Sequence, residues 1–82
     1  MVVKFLTRPG CTLCERAMPV VEKAVRRAGM TLAVVDIDTD DRLVSDYGMR
    51  IPVVLAPDRT VIAEGRIEDG AAMRRALKKT TW

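Results

Sequence analysis

Eighty-two residues, 49% apolar and 30% charged, suffice for one small domain with a single core and are too apolar for a disordered chain. No apolar run approaches the ~18 residues of a membrane-spanning helix. A net charge of +3 with one Phe, one Tyr and one Trp argues against a nucleic-acid binder built on base stacking.

The opening run Val2-Val3-Lys4-Phe5-Leu6 reads as a short strand, apolar on both faces except at Lys4. Such a strand suits the buried centre of a parallel or mixed sheet. It does not read as a secretory leader, because Lys4 interrupts the run and Arg8-Pro9-Gly10 ends it. A cytoplasmic location is therefore expected. There a cysteine pair is more often catalytic or metal-binding than structural.

Thr7-Arg8-Pro9-Gly10-Cys11-Thr12-Leu13-Cys14 holds both cysteines of the chain. Strand, tight loop, Cys-x-x-Cys and helix in that order form a redox motif. Only a thiolate attacks a disulfide, and a helix N-terminus favours one through unpaired N–H groups and the positive end of the helix dipole. Arg8 and Arg16 add positive charge, and Glu15 opposes them. A disulfide needs Cβ atoms about 3.8 Å apart, closer than the about 5–6 Å of i,i+3 residues inside a helix. Cys11 must therefore lie at the non-helical edge. It is either the cap itself or one place outside a Thr12–Glu15 capping box. Other uses of the pair carry less weight. A disulfide closing so small a loop constrains little chain. Zinc usually takes four protein ligands, and the chain has no His and no third Cys. Copper(I) on two thiolates stays open as an alternative.

The helix is expected over Thr12–Ala28, stopped by Gly29. At 100° per residue, Leu13, Cys14, Ala17, Met18, Val20, Val21, Ala24, Val25 and Ala28 share one arc, opposite Glu15, Arg16, Glu22, Lys23, Arg26 and Arg27. Cys14 is then the shielded sulfur and Cys11 the exposed one. Pro19 falls on the polar side, either as a tolerated surface proline or as a kink that tilts the first turn.

Thr31–Ile37 reads as a second strand, parallel to the first in a βαβ unit. Asp36, Asp38, Asp40 and Asp41 follow, read as a solvated loop and helix cap rather than a metal site. A short helix is expected over Asp41–Tyr47, ended by Gly48. Pro52 heads a third strand running to Leu55, with Ala56-Pro57-Asp58-Arg59 as a turn and Thr60–Glu64 as an antiparallel partner. From base rates the Ile51–Pro52 bond is expected to be trans. A last helix is expected over Glu68–Lys79, with Met73, Ala76 and Leu77 facing the core and basic residues at its end. Trp82 is terminal, and no role is read for it.

This order, β-α-β-α-β-β-α, with Cys-x-x-Cys at the first strand-to-helix junction and Ile51-Pro52 before the third strand, resembles the glutaredoxin/thioredoxin superfamily. It is most similar to small glutaredoxin-like proteins with a Thr-Arg-Pro-Gly-Cys-x-Leu-Cys opening. The resemblance implies a single α/β domain of thioredoxin-like fold, with a four-stranded mixed sheet flanked by three helices. It implies a thiol–disulfide oxidoreductase with Cys11 as nucleophile and Cys14 as resolving thiol. It also reverses the expectation for Pro52, matching it to a cis-proline that faces the dithiol and leaves the backbone of Ile51 free for substrate. Arg8, Arg50, Ile51, Pro52 and Gly65 are the expected substrate-binding residues.

Thr12-Leu13 stands where glutaredoxins commonly carry Pro-Tyr, and Glu64-Gly65 where they carry Gly-Gly. Glutathione binding is therefore expected to be weak, with Arg50 as the fork donor that could still hold a glutathione carboxylate. No bound cofactor is expected, and glutathione enters at most as reductant. The expected partners are a disulfide-containing protein or a glutathione mixed disulfide, with glutathione or a reductase as electron source. No nucleic acid or membrane is expected, and the chain reads as a monomer. The rival readings are a copper(I)- or thiol-binding module and a non-catalytic interaction domain.

Overall fold

The computed structural model describes residues 1–79, so Trp82 lies outside the described residues. Strand β1 (Val2–Thr7) is followed by helix α1 (Thr12–Arg27) and strand β2 (Thr31–Asp36). Helix α2 (Asp41–Tyr47), strands β3 (Val53–Leu55) and β4 (Val61–Glu64), and helix α3 (Gly70–Lys79) complete the chain. The sheet order is β2-β1-β3-β4. β1 pairs in parallel with β2 and antiparallel with β3, and β3 pairs antiparallel with β4. This is the four-stranded mixed sheet with three α-helices that the sequence implied. A single 3₁₀ turn at Ile37–Thr39 was not foreseen.

The period of two in β1 sorts its side chains between two cores. Val3 and Phe5 join Val54, Cys14, Ala17, Val21, Met73 and Leu77 in the cluster beneath α1 and α3. Leu6 points the other way and joins Ile37, Val53 and Leu55, with Leu43, Val44 and Tyr47 of α2 packed against them. Lys4 shares that second face but is exposed. Helices thus cover both faces of the sheet, and α2, at seven residues, covers its face only in part.

Helix α1 ends as its glycine predicts. The Gly29 N–H donates to the Arg26 carbonyl and the Met30 N–H to the Val25 carbonyl, a Schellman closure. Gly29 takes the required positive φ of 72°. Pro19 is exposed, and the helix runs unbroken through it. Leu13 and Ala28 depart from the expected apolar arc: Leu13 is 38% exposed, and Ala28, the C-cap, is exposed as well.

Six boundaries move. β1 extends to Thr7, α1 ends at Arg27 with Ala28 as its cap, and β3 starts at Val53 rather than Pro52. β2 stops at Asp36, whose carboxylate accepts the Asp38 N–H and starts the 3₁₀ turn. β4 starts at Val61 rather than Thr60. α3 starts at Gly70 rather than Glu68, because the Asp69 carboxylate accepts the N–H groups of Ala71 and Ala72 at 3.0 and 3.2 Å and so caps the helix from outside.

The β3–β4 turn is held by the Ala56 N–H to the Thr60 carbonyl and the Arg59 N–H to the Ala56 carbonyl, both 2.9 Å. The Thr60 hydroxyl, and with it the Thr60 N–H that donates to the Asp58 carboxylate, holds the Asp58 pKa below the usual carboxylate range. Arg59 has a positive φ of 72°, the only described non-glycine residue that does. A side chain costs about 1–2 kcal/mol in that left-handed conformation.

Candidate functional site

Cys11 is the N-cap of α1, which selects the first of the two capping registers. Gly10 before it has φ 81°, a conformation that lets the chain turn sharply from β1 into the helix. Cys11 itself is extended, at φ −85° and ψ 104°. Its backbone N–H donates to the Arg8 carbonyl, and its carbonyl accepts the Glu15 N–H. Its sulfur accepts the Cys14 N–H at 3.1 Å, in the manner of a capping hydroxyl. The two cysteines are joined as a disulfide, with Cα atoms 5.2 Å apart. Cys14 is only 2% exposed, within the cluster beneath α1 and α3. Cys11 is half-buried rather than fully exposed, because part of it packs against that same cluster. The expected order of accessibility holds, with a smaller difference.

Ile51 packs against the cluster that Cys11 also touches, and the Ile51–Pro52 bond is cis, as the resemblance implied against base rates. One part of the expectation for Ile51 needs correction. Its N–H already donates to the Tyr47 carbonyl at 3.1 Å, so a substrate strand can pair only with its carbonyl.

Arg8, Arg50 and Gly65 all have internal partners. The Arg8 guanidinium meets the Asp38 carboxylate at 2.5 Å, and that hydrogen bond raises its pKa further above the ordinary arginine value. Arg8 thus ties the loop before Cys11 to the turn after β2. Arg50 Nε donates to Glu64 at 2.8 Å, and its guanidinium lies 5.2 Å from the centre of the Tyr47 ring. The Gly65 N–H donates to the Pro52 carbonyl at 2.9 Å. Arg50, Pro52, Glu64 and Gly65 therefore form one wall, while the Arg8 side chain turns away from it.

Sequence reasoning did not single out Tyr47 and Asp38 as part of this region, and named Glu64 only as a departure from a Gly-Gly pair. Asp38 had a usable signal: parallel register pairs Thr7 with Asp36, so the residues that follow the two strands must emerge side by side. Met49, beside Arg50, is fully exposed and with Leu13 gives the area apolar surface. The carboxylates after β2 serve as caps and in the Arg8 pair. Among the described residues no three Cys, Asp or Glu side chains are grouped to hold a metal, and no helix is long and apolar enough to cross a membrane.

The glutaredoxin-like domain (DUF836) family model matches residues 2–78. Among solved structures, a structural-genomics target protein from X. campestris is 30% identical, with a TM-score of 0.78 over 96% of this chain and 99% of that one. A mutant thioredoxin from Halobacterium salinarum is 25% identical, with a TM-score of 0.72 over 99% of this chain and 74% of its own. Thioredoxin 1 from Thermosipho africanus is 12% identical and shares the fold, with a TM-score of 0.69 over 96% and 92% of the two chains. No curated protein matches the sequence.

Proposed function

This chain belongs to the glutaredoxin-like domain family, and on that premise we propose that it is a thiol–disulfide oxidoreductase working through Cys11 and Cys14. The observation that carries the reading is the closed pair itself. One sulfur caps a helix at the surface, and the other is buried one turn away. In the reduced protein, the Cys14 N–H and the helix terminus favour negative charge on the Cys11 sulfur.

The Cys11 thiolate attacks one sulfur of a substrate disulfide, forming a mixed disulfide and releasing the other sulfur as a thiolate. Cys14 loses its proton and attacks the Cys11 sulfur, which closes the internal disulfide and releases the second substrate thiolate. The substrate gains two electrons and the protein loses two. An external dithiol, or two glutathione thiols, returns them. Exposed Leu13, between the two cysteines in sequence, favours a protein disulfide as substrate, since it offers apolar contact near the reacting sulfur.

The test is reduction of a protein disulfide by the purified chain, with glutathione or thioredoxin reductase supplied as electron source. Turnover with either supports the reading, and no turnover with both overturns it. A cytoplasmic location and a monomeric state belong to this proposal.

Glutathione should be a poor ligand. Arg50 already faces the Glu64 carboxylate, and the Gly65 N–H is already engaged. Glu64→Gln is expected to lower KM for a glutathione mixed disulfide by roughly two- to fivefold, the scale of an exposed ion pair. Arg50→Ala is expected to give no such gain. Steady-state kinetics of both variants check this, and equal effects would remove Arg50 from the glutathione groove.

A further inference from the structure

A second candidate site lies away from the dithiol, on the sheet face only partly covered by α2. It is a cavity of about 430 Å³. Its floor includes Leu6, Leu55 and Tyr47, all belonging to the second apolar cluster or packed against it. Its rim carries Lys4, Arg42 and Arg59 against Asp40 and Asp46. The size suits a small molecule, but five of the twelve lining residues are charged, so the site is more polar than a usual ligand pocket and its apolar part is confined to the floor.

Two features of the rim point to an anionic ligand. Lys4 is the only charged residue of β1, a strand flanked on both sides, and Arg59 occupies a backbone conformation that favours glycine. Lys4 is exposed on its face of the sheet, and Arg59 carries a long cation where the backbone prefers glycine. Strain of this kind is tolerated where the side chain has a use. Among the described residues neither Lys4 nor Arg59 enters an ion pair, so neither cation is needed to neutralise the protein's own acids. The Asp40 carboxylate is occupied in capping α2. The three cations outnumber the two acids by one, so a single negative charge balances the rim and a second is opposed by Asp46.

We propose that this cavity binds a small organic monoacid. Its carboxylate lies between Lys4 and Arg59, and its apolar body rests on Leu6, Leu55 and Tyr47. This site is independent of the thiol chemistry and stands or falls separately from it.

The experiment is an NMR titration of the isotope-labelled chain with 4-phenylbutyrate, and in parallel with 4-phenylbutylamine, which has the same body and the opposite charge. Saturable shifts are expected at millimolar acid for the amides of Leu6, Val35, Leu55 and Ala56, with those of Cys11 and Cys14 unmoved. The amine is expected to bind about tenfold more weakly or worse. Arg59→Gly should weaken the acid by about tenfold while raising the thermal midpoint, because it removes the cation and relieves the backbone together. Lys4→Gln should weaken binding on a similar scale. Equal binding of acid and amine, no saturable shift in the cavity, or an Arg59→Gly protein that binds as well as the parent would each overturn the proposal.

Discussion

Cys11→Ser is expected to abolish disulfide exchange, whereas Cys14→Ser keeps the first attack and strands the protein as a mixed disulfide with its substrate. The asymmetry comes from where the chain holds each sulfur. Cys11 sits at the rim of α1, where its sulfur accepts a backbone N–H, and Cys14 is buried one turn further on. Substrate can reach the first sulfur and not the second. Resolution by Cys14 is intramolecular, between groups already held 5.2 Å apart at Cα, and well-placed intramolecular reactions outrun external thiols by large factors in effective concentration. Without Cys14 the mixed disulfide persists until an outside thiol such as glutathione releases it. Mass spectrometry of each variant after mixing with a disulfide substrate distinguishes the cases. Adduct on the Cys11→Ser protein and none on the Cys14→Ser protein would reverse the roles.

Phe5→Ala is expected to cost about 3–5 kcal/mol and to leave much of the chain unfolded. Phe5 is fully buried on the central strand, in the cluster that joins α1 and α3 to the sheet. Its removal opens a cavity that strands on both sides hold open. Stability on the order of 0.05–0.15 kcal/mol per residue amounts to roughly 4–12 kcal/mol for a chain of this length, so one such loss takes a large fraction of it. Urea denaturation followed by circular dichroism measures the effect. A midpoint within the scatter of the parent protein would mean that Phe5 does not hold the helices to the sheet. Lys4→Gln, next to it in sequence but exposed, should change the midpoint little, which separates burial from position in the strand.

The readable parts of the sequence were those governed by near neighbours. The 3.6-residue period from Leu13 to Val25, the glycine at 29 and the Cys-x-x-Cys spacing each act over a few residues, and they located α1 and the dithiol. The acidic run at 36–41 was legible as caps for the same reason: the Asp36 and Asp40 carboxylates each bond an N–H two residues ahead. The start of α3 was missed because Glu68 and Asp69 both suit a first turn, and only the Asp69 side-chain bonds place it outside the helix.

Composition, periodicity and the cysteine spacing by themselves determined a small mixed α/β chain with a redox pair at a helix tip, because each of those signals is local. Tertiary structure alone decided the partners of the flanking charges. Arg8 meets Asp38 thirty residues away, and Arg50 meets Glu64 fourteen residues away. A free-standing cation suits a substrate carboxylate as well as a neighbouring one. Which it takes depends on strand register, and through register on the packing of apolar residues that carry no charge at all. The same holds for the cavity beside Lys4 and Arg59, whose walls come from β1, β2, α2, β3 and the β3–β4 turn and meet only once the sheet has closed.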